Sequence, residues 1–250
     1  MSGHSKWSTI KRKKGAADAK RGALFGKLSR AITVAAREGG GDPEANHALA
    51  LAVHKAKEAN MPNDNIQRAI DKGTGAGADA EAIERVTYEG YAPGGVAVMV
   101  EVLTDNRNRA ASDVRYIFSK NGGKLGTSGS VAYLFERKGV ILVPKDNVDE
   151  DELMELALEA GAEDIEPMQS DYRIVTAPED FAAVRETLDA AGVPYENAMV
   201  TMQPQNSVEP DAATAKQVLR LIDALEENDD VQEVHANFDI SEEVMAEVAG

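Results

Sequence analysis

The residues most able to do chemistry in this sequence are basic side chains clustered near its start. Between residues 3 and 37 there are ten Lys or Arg and one acid, Asp18, which gives a local net charge of +9 in a chain of formal net charge −16. A clustered positive field attracts phosphate, so we expect this segment, the basic head, to contact nucleic acid. Its cations are Lys6, Lys11, Arg12, Lys13, Lys14, Lys20, Arg21, Lys27, Arg30 and Arg37.

Two further features could add to a nucleic-acid site. Trp7 follows Lys6 directly, and it is either an anchor packed on the helices that follow or a residue that stacks beside phosphate contacts. The glycine-rich stretch at residues 122–129 lies near Lys120 and Lys124, which could make a minor RNA-backbone contact. It is not a Walker A motif, because Leu125 stands where Ser or Thr would hold Mg²⁺. A flexible turn is the simpler interpretation.

Catalytic and metal chemistry find little support. The chain has no cysteine, so thiolate metal sites and disulfides are excluded. His4, His47, His54 and His235 do not form a metal motif, and Ser128 lies in GTSGS rather than in a GxSxG nucleophile motif. We therefore expect no enzyme activity, no cofactor and no metal.

The head also lacks a framework for reading bases. It contains no zinc finger, no basic zipper and no aromatic motif of an RNA-recognition domain. Phosphate contacts should dominate binding, and if about six cations are engaged, log K should fall against log salt with a slope near −5.

Composition limits the class of protein. The chain has 250 residues, 43% of them hydrophobic, and no window approaches the twenty apolar residues of a membrane span. The start of the sequence has charge but no apolar region typical of a signal peptide. These features predict a cytoplasmic protein without membrane contact.

The spacing of apolar residues predicts a helical first domain, residues 1–76. After an arm without periodicity, one apolar stripe runs along a helix through Leu24, Phe25, Leu28, Ala31, Ile32, Ala35 and Ala36. Pro43 begins a second helix, which continues to Ala59, and Asn63 caps a short third helix that Gly73 ends.

An α/β pattern follows. Strands are predicted at residues 85–91, 96–104 and 131–135, with a helix at 108–120. Residues 139–202 alternate β-α-β-β-α-β, the ferredoxin-like order, and hold sixteen acids against Lys145, Arg173 and Arg185. Such an acidic module is a poor nucleic-acid binder and a plausible protein-facing surface.

The end of the chain completes the architecture. A helix at residues 211–227 and a strand at 231–238 could complete the unfinished sheet before the acidic module. We therefore predict an α+β protein with a basic helical bundle (1–76), a discontinuous α/β domain (83–137 with 204–240) and an inserted ferredoxin-like domain (138–203). A sequential layout with a small fourth piece is the alternative.

Several long sequence blocks resemble the YebC family. They are GHSKW at 3–7, KRKKGAADAKR at 11–21, NMPNDNIQRAIDKGTG at 60–75, YEGYAPGGVAVMVE at 88–101, DNRNRAASDVR at 105–115, NGGKLGTSGSVAYLFERKG at 121–139 and DVQEVHANFD at 230–239. The resemblance implies three domains, two of them α/β and one inserted in the other, and a cytoplasmic, non-enzymatic regulator.

The same resemblance leaves two functions open. Bacterial members are named transcriptional regulators, which implies DNA binding. Similar proteins are described as translation factors on the ribosome, and mitochondrial relatives as translational activators of cytochrome c oxidase. The expected partner is therefore DNA or ribosomal RNA through the head, with the ribosome or another protein at the acidic domains.

Overall fold

A computed structural model describes residues 18–75, 83–168 and 170–241, together with 244 and 248. The described helices are α1 (Asp18–Gly39), α2 (His47–Glu58), α3 (Asn63–Gly73), α4 (Arg107–Lys120), α5 (Glu150–Glu159), α6 (Phe181–Ala191) and α7 (Ala212–Glu226). The described strands are β1 (Glu84–Tyr91), β2 (Ala97–Thr104), β3 (Lys124–Leu125), β4 (Phe135–Pro144), β5 (Ala162–Pro167), β6 (Asp171–Thr176), β7 (Asn197–Pro204) and β8 (Val231–Ala236).

The chain forms two compact units. Residues 133–207 make one, the inserted unit, and the chain on both sides of it makes the other, the main unit. This confirms the predicted α+β class with one α/β part inserted into another. The predicted boundaries of three domains stay a prediction, since α1–α3 belong to the same compact unit as the sheet that follows them.

Helices α1, α2 and α3 pack around an apolar cluster that includes Ile32, Leu49 and Ile66. Asn46 joins the end of α1 to the start of α2. Its Oδ1 accepts from the Leu49 N–H at 3.1 Å, and its Nδ2 donates to the carbonyls of Ala35 and Gly40, both at 2.8 Å. The first bond satisfies an N–H at the start of α2 that has no intrahelical partner, and the other two hold the end of α1 against it.

The helix starts differ from the predicted ones. The second helix begins at His47, because Asn46 supplies its cap and the Pro43 segment forms a turn instead. Asn63 is the first residue of α3 and not its cap, which is Pro62. The predicted apolar stripe of α1 was also partly wrong: Leu24 is 45% exposed, whereas Val34 is fully buried.

A four-stranded antiparallel sheet, in the order β3-β1-β2-β8, forms the centre of the main unit. On one face α4 and α7 cover it, with Phe118 and Leu221 in the shared core. On the other side, Val34 of α1 packs with Ile83 and Leu103. The pairing of β2 with β8 joins segments from before and after the inserted unit.

The third strand of this sheet was predicted in the wrong place. Lys124 and Leu125, within the glycine-rich stretch, pair with Tyr91 and Gly90 of β1. The predicted strand at 131–135 is a short 3-10 turn at residues 132–134, and Phe135 begins β4 of the other sheet. Gly90 permits the pairing, because a Cβ there would lie 2.7 Å from the Lys124 carbonyl.

The inserted unit has the predicted ferredoxin-like arrangement. Its sheet has the order β5-β6-β4-β7 with antiparallel neighbours, and α5 and α6 cover an apolar core that includes Leu153, Ile174 and Leu188. Asp149 caps α5 and accepts from the Asp151 N–H at 3.0 Å. No described helix has the length and apolarity needed to cross a membrane.

Candidate nucleic-acid interface

The basic head extends from outside the described residues into α1. Lys6, Trp7, Lys11, Arg12, Lys13 and Lys14 lie outside them. Lys20 lies in α1, and Arg21 beside it is exposed. The predicted role of all these residues in binding stays a prediction.

Three cations of the head attach α1 to the rest of the main unit. Lys27 donates to the carbonyl of Glu226, at the end of α7. Arg30 donates to the carbonyl of Asp229. Arg37 donates from Nη2 to the carbonyl of Ile83 at 2.6 Å.

These three contacts have a structural meaning that the sequence analysis did not foresee. A guanidinium or ammonium group that donates to a backbone carbonyl is held in place, and part of its donor capacity is used. Lys27, Arg30 and Arg37 therefore position α1, the described part of the basic head. Arg21 remains an exposed cation of α1.

Asp230 is the acidic group that meets this helix. It is 7% exposed, and its Oδ2 accepts from the Thr104 hydroxyl at 2.9 Å and from Arg109 Nη2 at 2.8 Å. Arg30 Nη1 lies 3.4 Å from its Oδ1. The hydrogen bonds that Arg109 donates to Asp230 and Asp105 raise the pKa of Arg109 above its ordinary value. One carboxylate thus links α1, the end of β2 and α4.

A further cation pair joins α2 to the sheet. Lys55 Nζ lies 2.7 Å from Glu233 Oε1. Glu233 faces Glu101 across β8 and β2, and His235 Nε2 lies 3.5 Å from Glu101 and 3.6 Å from Glu233. The ligand-type atoms of Glu101, Glu233 and His235 lie within 4.8 Å of one another, a grouping that a search for sequence motifs missed because the strands are far apart in the chain.

Lys55 lies beside the group formed by Glu101, Glu233 and His235. An ammonium at 2.7 Å from Glu233 already supplies positive charge to the carboxylates. The arrangement therefore serves as a polar contact between the helices and the sheet. We assign no metal to it.

The glycine-rich stretch is held by a buried carboxylate. Glu89, 5% exposed, accepts from the N–H groups of Gly129 at 2.6 Å, Val131 at 2.7 Å and Ala132 at 2.8 Å. Burial alone would raise the pKa of Glu89, but these three bonds outweigh it and lower the pKa below its ordinary value. The predicted flexible turn is thus an anchored loop.

Lys120 and Lys124, the two predicted loop cations, are both exposed. Lys120 Nζ lies 5.6 Å from the centre of the exposed Tyr116 ring. Lys124 lies on the edge strand β3. A contact of these residues with RNA stays a prediction.

Two basic residues near α1 were not among the predicted site residues. Arg68 and Lys72 of α3 line an open cleft together with Arg30 of α1. Their spacing of four residues places them on one face of the helix, and that spacing was a signal that sequence analysis could have used.

The comparisons with known proteins agree with this architecture. A family model described as the TACO1/YebC protein N-terminal domain matches residues 5–76, and one described as the TACO1/YebC second and third domain matches residues 83–238. A crystal structure of a conserved hypothetical protein from Aquifex aeolicus is 55% identical, has a TM-score of 0.79, and is matched over 90% of this chain and 93% of that one.

Curated relatives match along the whole chain. A protein of Rubrobacter xylanophilus is 79% identical over 250 residues, and one of Syntrophus aciditrophicus is 56% identical over 249 residues, each covering 100% of both chains. Both carry the name "Probable transcriptional regulatory protein". With two family models that together span nearly all of its length, the chain belongs to the TACO1/YebC family.

Proposed function

We propose that this protein is a non-enzymatic regulator of gene expression that binds nucleic acid through its basic head, and that it acts on transcription as the names of its relatives state. The observation that carries the proposal is the separation of charge. Residues 1–75 hold fourteen Lys or Arg and seven acids, whereas the remainder has a net charge of −23. An acidic body repels a polyanion, so nucleic acid should approach at the head only.

The contacts of α1 support this proposal. Lys27, Arg30 and Arg37 attach α1 by bonds to backbone carbonyls at the end of α7, before β8 and before β1, so the described part of the head is held in place. A positioned cation loses less conformational freedom when it meets phosphate than a cation on a free chain. Arg21, on the same helix, is exposed and therefore accessible to phosphate.

A second candidate function is a ribosome-associated translation factor. The inserted unit favours it, because residues 139–202 hold sixteen acids and three basic residues and suit a protein partner better than a nucleic acid. A ribosome offers RNA for the head and basic proteins for the acidic unit.

Competition binding separates the two functions. A labelled promoter duplex is bound to the full-length protein at fixed salt, and unlabelled duplex DNA or ribosomal RNA is then added. Transcriptional regulation predicts that DNA competes better than an equal mass of RNA. Equal or better competition by RNA, together with co-sedimentation of the protein with ribosomal particles, would replace it by the translation function.

The proposal as a whole has its own test. If the protein binds neither DNA nor RNA at low salt, the nucleic-acid function is wrong. A variant with Lys216→Gln and Arg220→Gln, which removes two exposed cations of α7, tests whether cations outside the head contribute to binding. Its binding should equal that of the unchanged protein.

A further inference from the structure

An open cleft lies between α1 and α3, with an empty volume of about 560 Å³ that includes the part open to solvent. Most of its lining residues are of polar types, and they come from both helices and from the residue before β1. The lining residues are Ser29, Arg30, Thr33, Asn65, Arg68, Ala69, Lys72 and Ile83.

The charge of this lining has one sign. Arg30, Arg68 and Lys72 are cations, and the described lining includes no carboxylate. Arg68 and Lys72 stand four residues apart on α3, a spacing at which like charges repel and destabilise a helix slightly. An anion between them would remove that cost. In a chain of net charge −16, three cationic residues that line one cleft indicate an anion site.

The donor set suits phosphate. Arg68 uses Nε to bond the Asp64 carbonyl at 3.2 Å, which leaves the two terminal amino groups of the guanidinium to bind an anion in a fork. Lys72 adds a point charge, and Ser29 and Asn65 add neutral donors. Several oxygens of one phosphate group can accept from such a set at once.

The walls of the cleft are held at a fixed spacing. The Thr33 hydroxyl of α1 donates to the Ala69 carbonyl of α3 at 3.1 Å. The helices also approach closely at Gly73, where a Cβ would lie 2.4 Å from the Thr33 carbonyl oxygen. Arg30 is itself held by Asp230 and the Asp229 carbonyl. The spacing of the two helices and the position of Arg30 are therefore set before any ligand binds.

The cleft shares a residue with the basic head, because Arg30 belongs to the head and also lines the cleft. Nucleic acid bound by the head is therefore the source of phosphate that we expect at the cleft.

We propose that the cleft between α1 and α3 is a phosphate-binding site in which Arg30, Arg68 and Lys72 hold a backbone phosphate of the nucleic acid that the basic head binds. This rests on the proposed function and deepens it. It adds Arg68 and Lys72 to the binding surface. It also gives Arg30 two roles, since Arg30 both fixes α1 and faces the cleft.

The test compares the salt dependence of nucleic-acid binding in three full-length proteins. They are the unchanged protein, the variant Arg68→Gln/Lys72→Gln, and a control with Lys57→Gln and Lys216→Gln, which removes two exposed cations elsewhere. Arg30 is left intact because it also contacts Asp230. Fluorescence anisotropy with a labelled 20-nucleotide RNA and the matching duplex gives log K against log salt.

Loss of two phosphate contacts should reduce the magnitude of the slope by about 1.8 on duplex and about 1.4 on a single strand. Affinity at low salt should fall roughly tenfold or more, with melting temperatures unchanged. If the unchanged protein binds and the cleft variant keeps the slope of the control, the cleft proposal is wrong and the proposed function stands. If the unchanged protein binds no nucleic acid, both are wrong.

Titration with inorganic phosphate and with a nucleoside triphosphate distinguishes the sources. Amide chemical shifts of residues 29–33 and 65–72 report occupancy of the cleft. Shifts caused by RNA or duplex DNA and lost in the cleft variant support the proposal. Saturation by free phosphate or nucleotide at micromolar concentration, with the nucleic-acid slope unchanged in the variant, would overturn it in favour of a small-molecule site.

Discussion

Replacement of Glu89 by Gln tests how the glycine-rich loop is held. The carboxylate accepts three backbone N–H groups at 2.6–2.8 Å, one on Oε1 and two on Oε2. A Gln side chain has one acceptor oxygen, so its NH2 group would face at least one backbone N–H and could not accept from it. A hydrogen bond to a charged group contributes about 1.5–3 kcal/mol, so we expect Glu89→Gln to lower the free energy of unfolding by about 2–3 kcal/mol.

The effect should depend on pH in a defined direction. Because the pKa of Glu89 is lowered in the folded protein, its contribution to stability is present above the pKa of the unfolded chain and is lost as pH falls through the folded value. The difference between the unchanged protein and the variant should be constant from about pH 6 to 8 and should shrink below about pH 4. As pH falls, the free energy of unfolding should therefore decrease more steeply in the unchanged protein than in the variant.

Thermal and urea unfolding measure this, with amide hydrogen exchange as a local readout. A loss of that size should lower the melting temperature by roughly 5–10 °C. Exchange at Gly129, Val131 and Ala132 should accelerate. Glu84→Gln, an exposed acid on the same strand, is the matched control and should change neither. If Glu89→Gln unfolds at the same temperature as the control, with exchange at those amides unchanged, the loop is not held by this carboxylate.

Three other substitutions, two of them paired with a second variant for comparison, test the contacts that organise the fold. Asp230→Asn removes the charge that Thr104 and Arg109 contact, and it should lower the free energy of unfolding in urea by only about 1–2 kcal/mol because Arg109 is half exposed. Asp229→Asn should lower it by less than about 0.5 kcal/mol, because the contact of Asp229 with Arg30 is made by its backbone carbonyl. Equal effects of the two would contradict the assignment. Gly139→Ala places a Cβ 2.2 Å from Thr176 Oγ1 and should destabilise the inserted unit by about 1–3 kcal/mol. Gly26→Ala, with open space around it in α1, should stabilise the protein by up to about 1 kcal/mol. If calorimetry shows that Gly26→Ala destabilises and Gly139→Ala stabilises, the described packing around these glycines is wrong. Lys55→Gln should lower the free energy of unfolding by less than about 1 kcal/mol, and added salt should reduce this difference. A difference that does not depend on salt would show that the ion pair with Glu233 is not its cause.

Much of the fold follows from local patterns in the sequence. The inserted unit was predictable because each of its strands and helices is a separate run with its own cap, such as Asp149 before α5. The α7 cap is of the same kind, since Asp211 accepts from the Thr214 N–H at 2.8 Å. Such contacts lie within three residues and leave a visible motif.

What the sequence did not show depends on residues far apart in the chain. The loop at 122–130 is fixed by Glu89, about forty residues earlier, so the alternation at 131–135 was wrongly interpreted as a strand. Val34 is buried because α1 packs against the sheet as well as against α2 and α3, which one stripe on a helix cannot indicate.

The candidate site shows the same division. Clustering of cations was visible in the sequence, and the last of these cations lie in α1. The bonds of Lys27 and Arg30 to carbonyls 199 residues away were not visible. Nor was the cleft, because Arg68 and Lys72 gain meaning only when α3 lies beside Arg30.

The most direct test of the central claim measures nucleic-acid binding against salt for the full-length protein and for a variant with Lys11, Arg12, Lys13 and Lys14 all changed to Gln. The account predicts a slope of log K against log salt near −5 for the unchanged protein, if about six cations are engaged. Removing four of them should bring the slope to about −2, with melting temperature unaltered. A slope that is the same in both proteins, or binding that does not respond to salt, would contradict the claim that the basic head carries nucleic-acid binding.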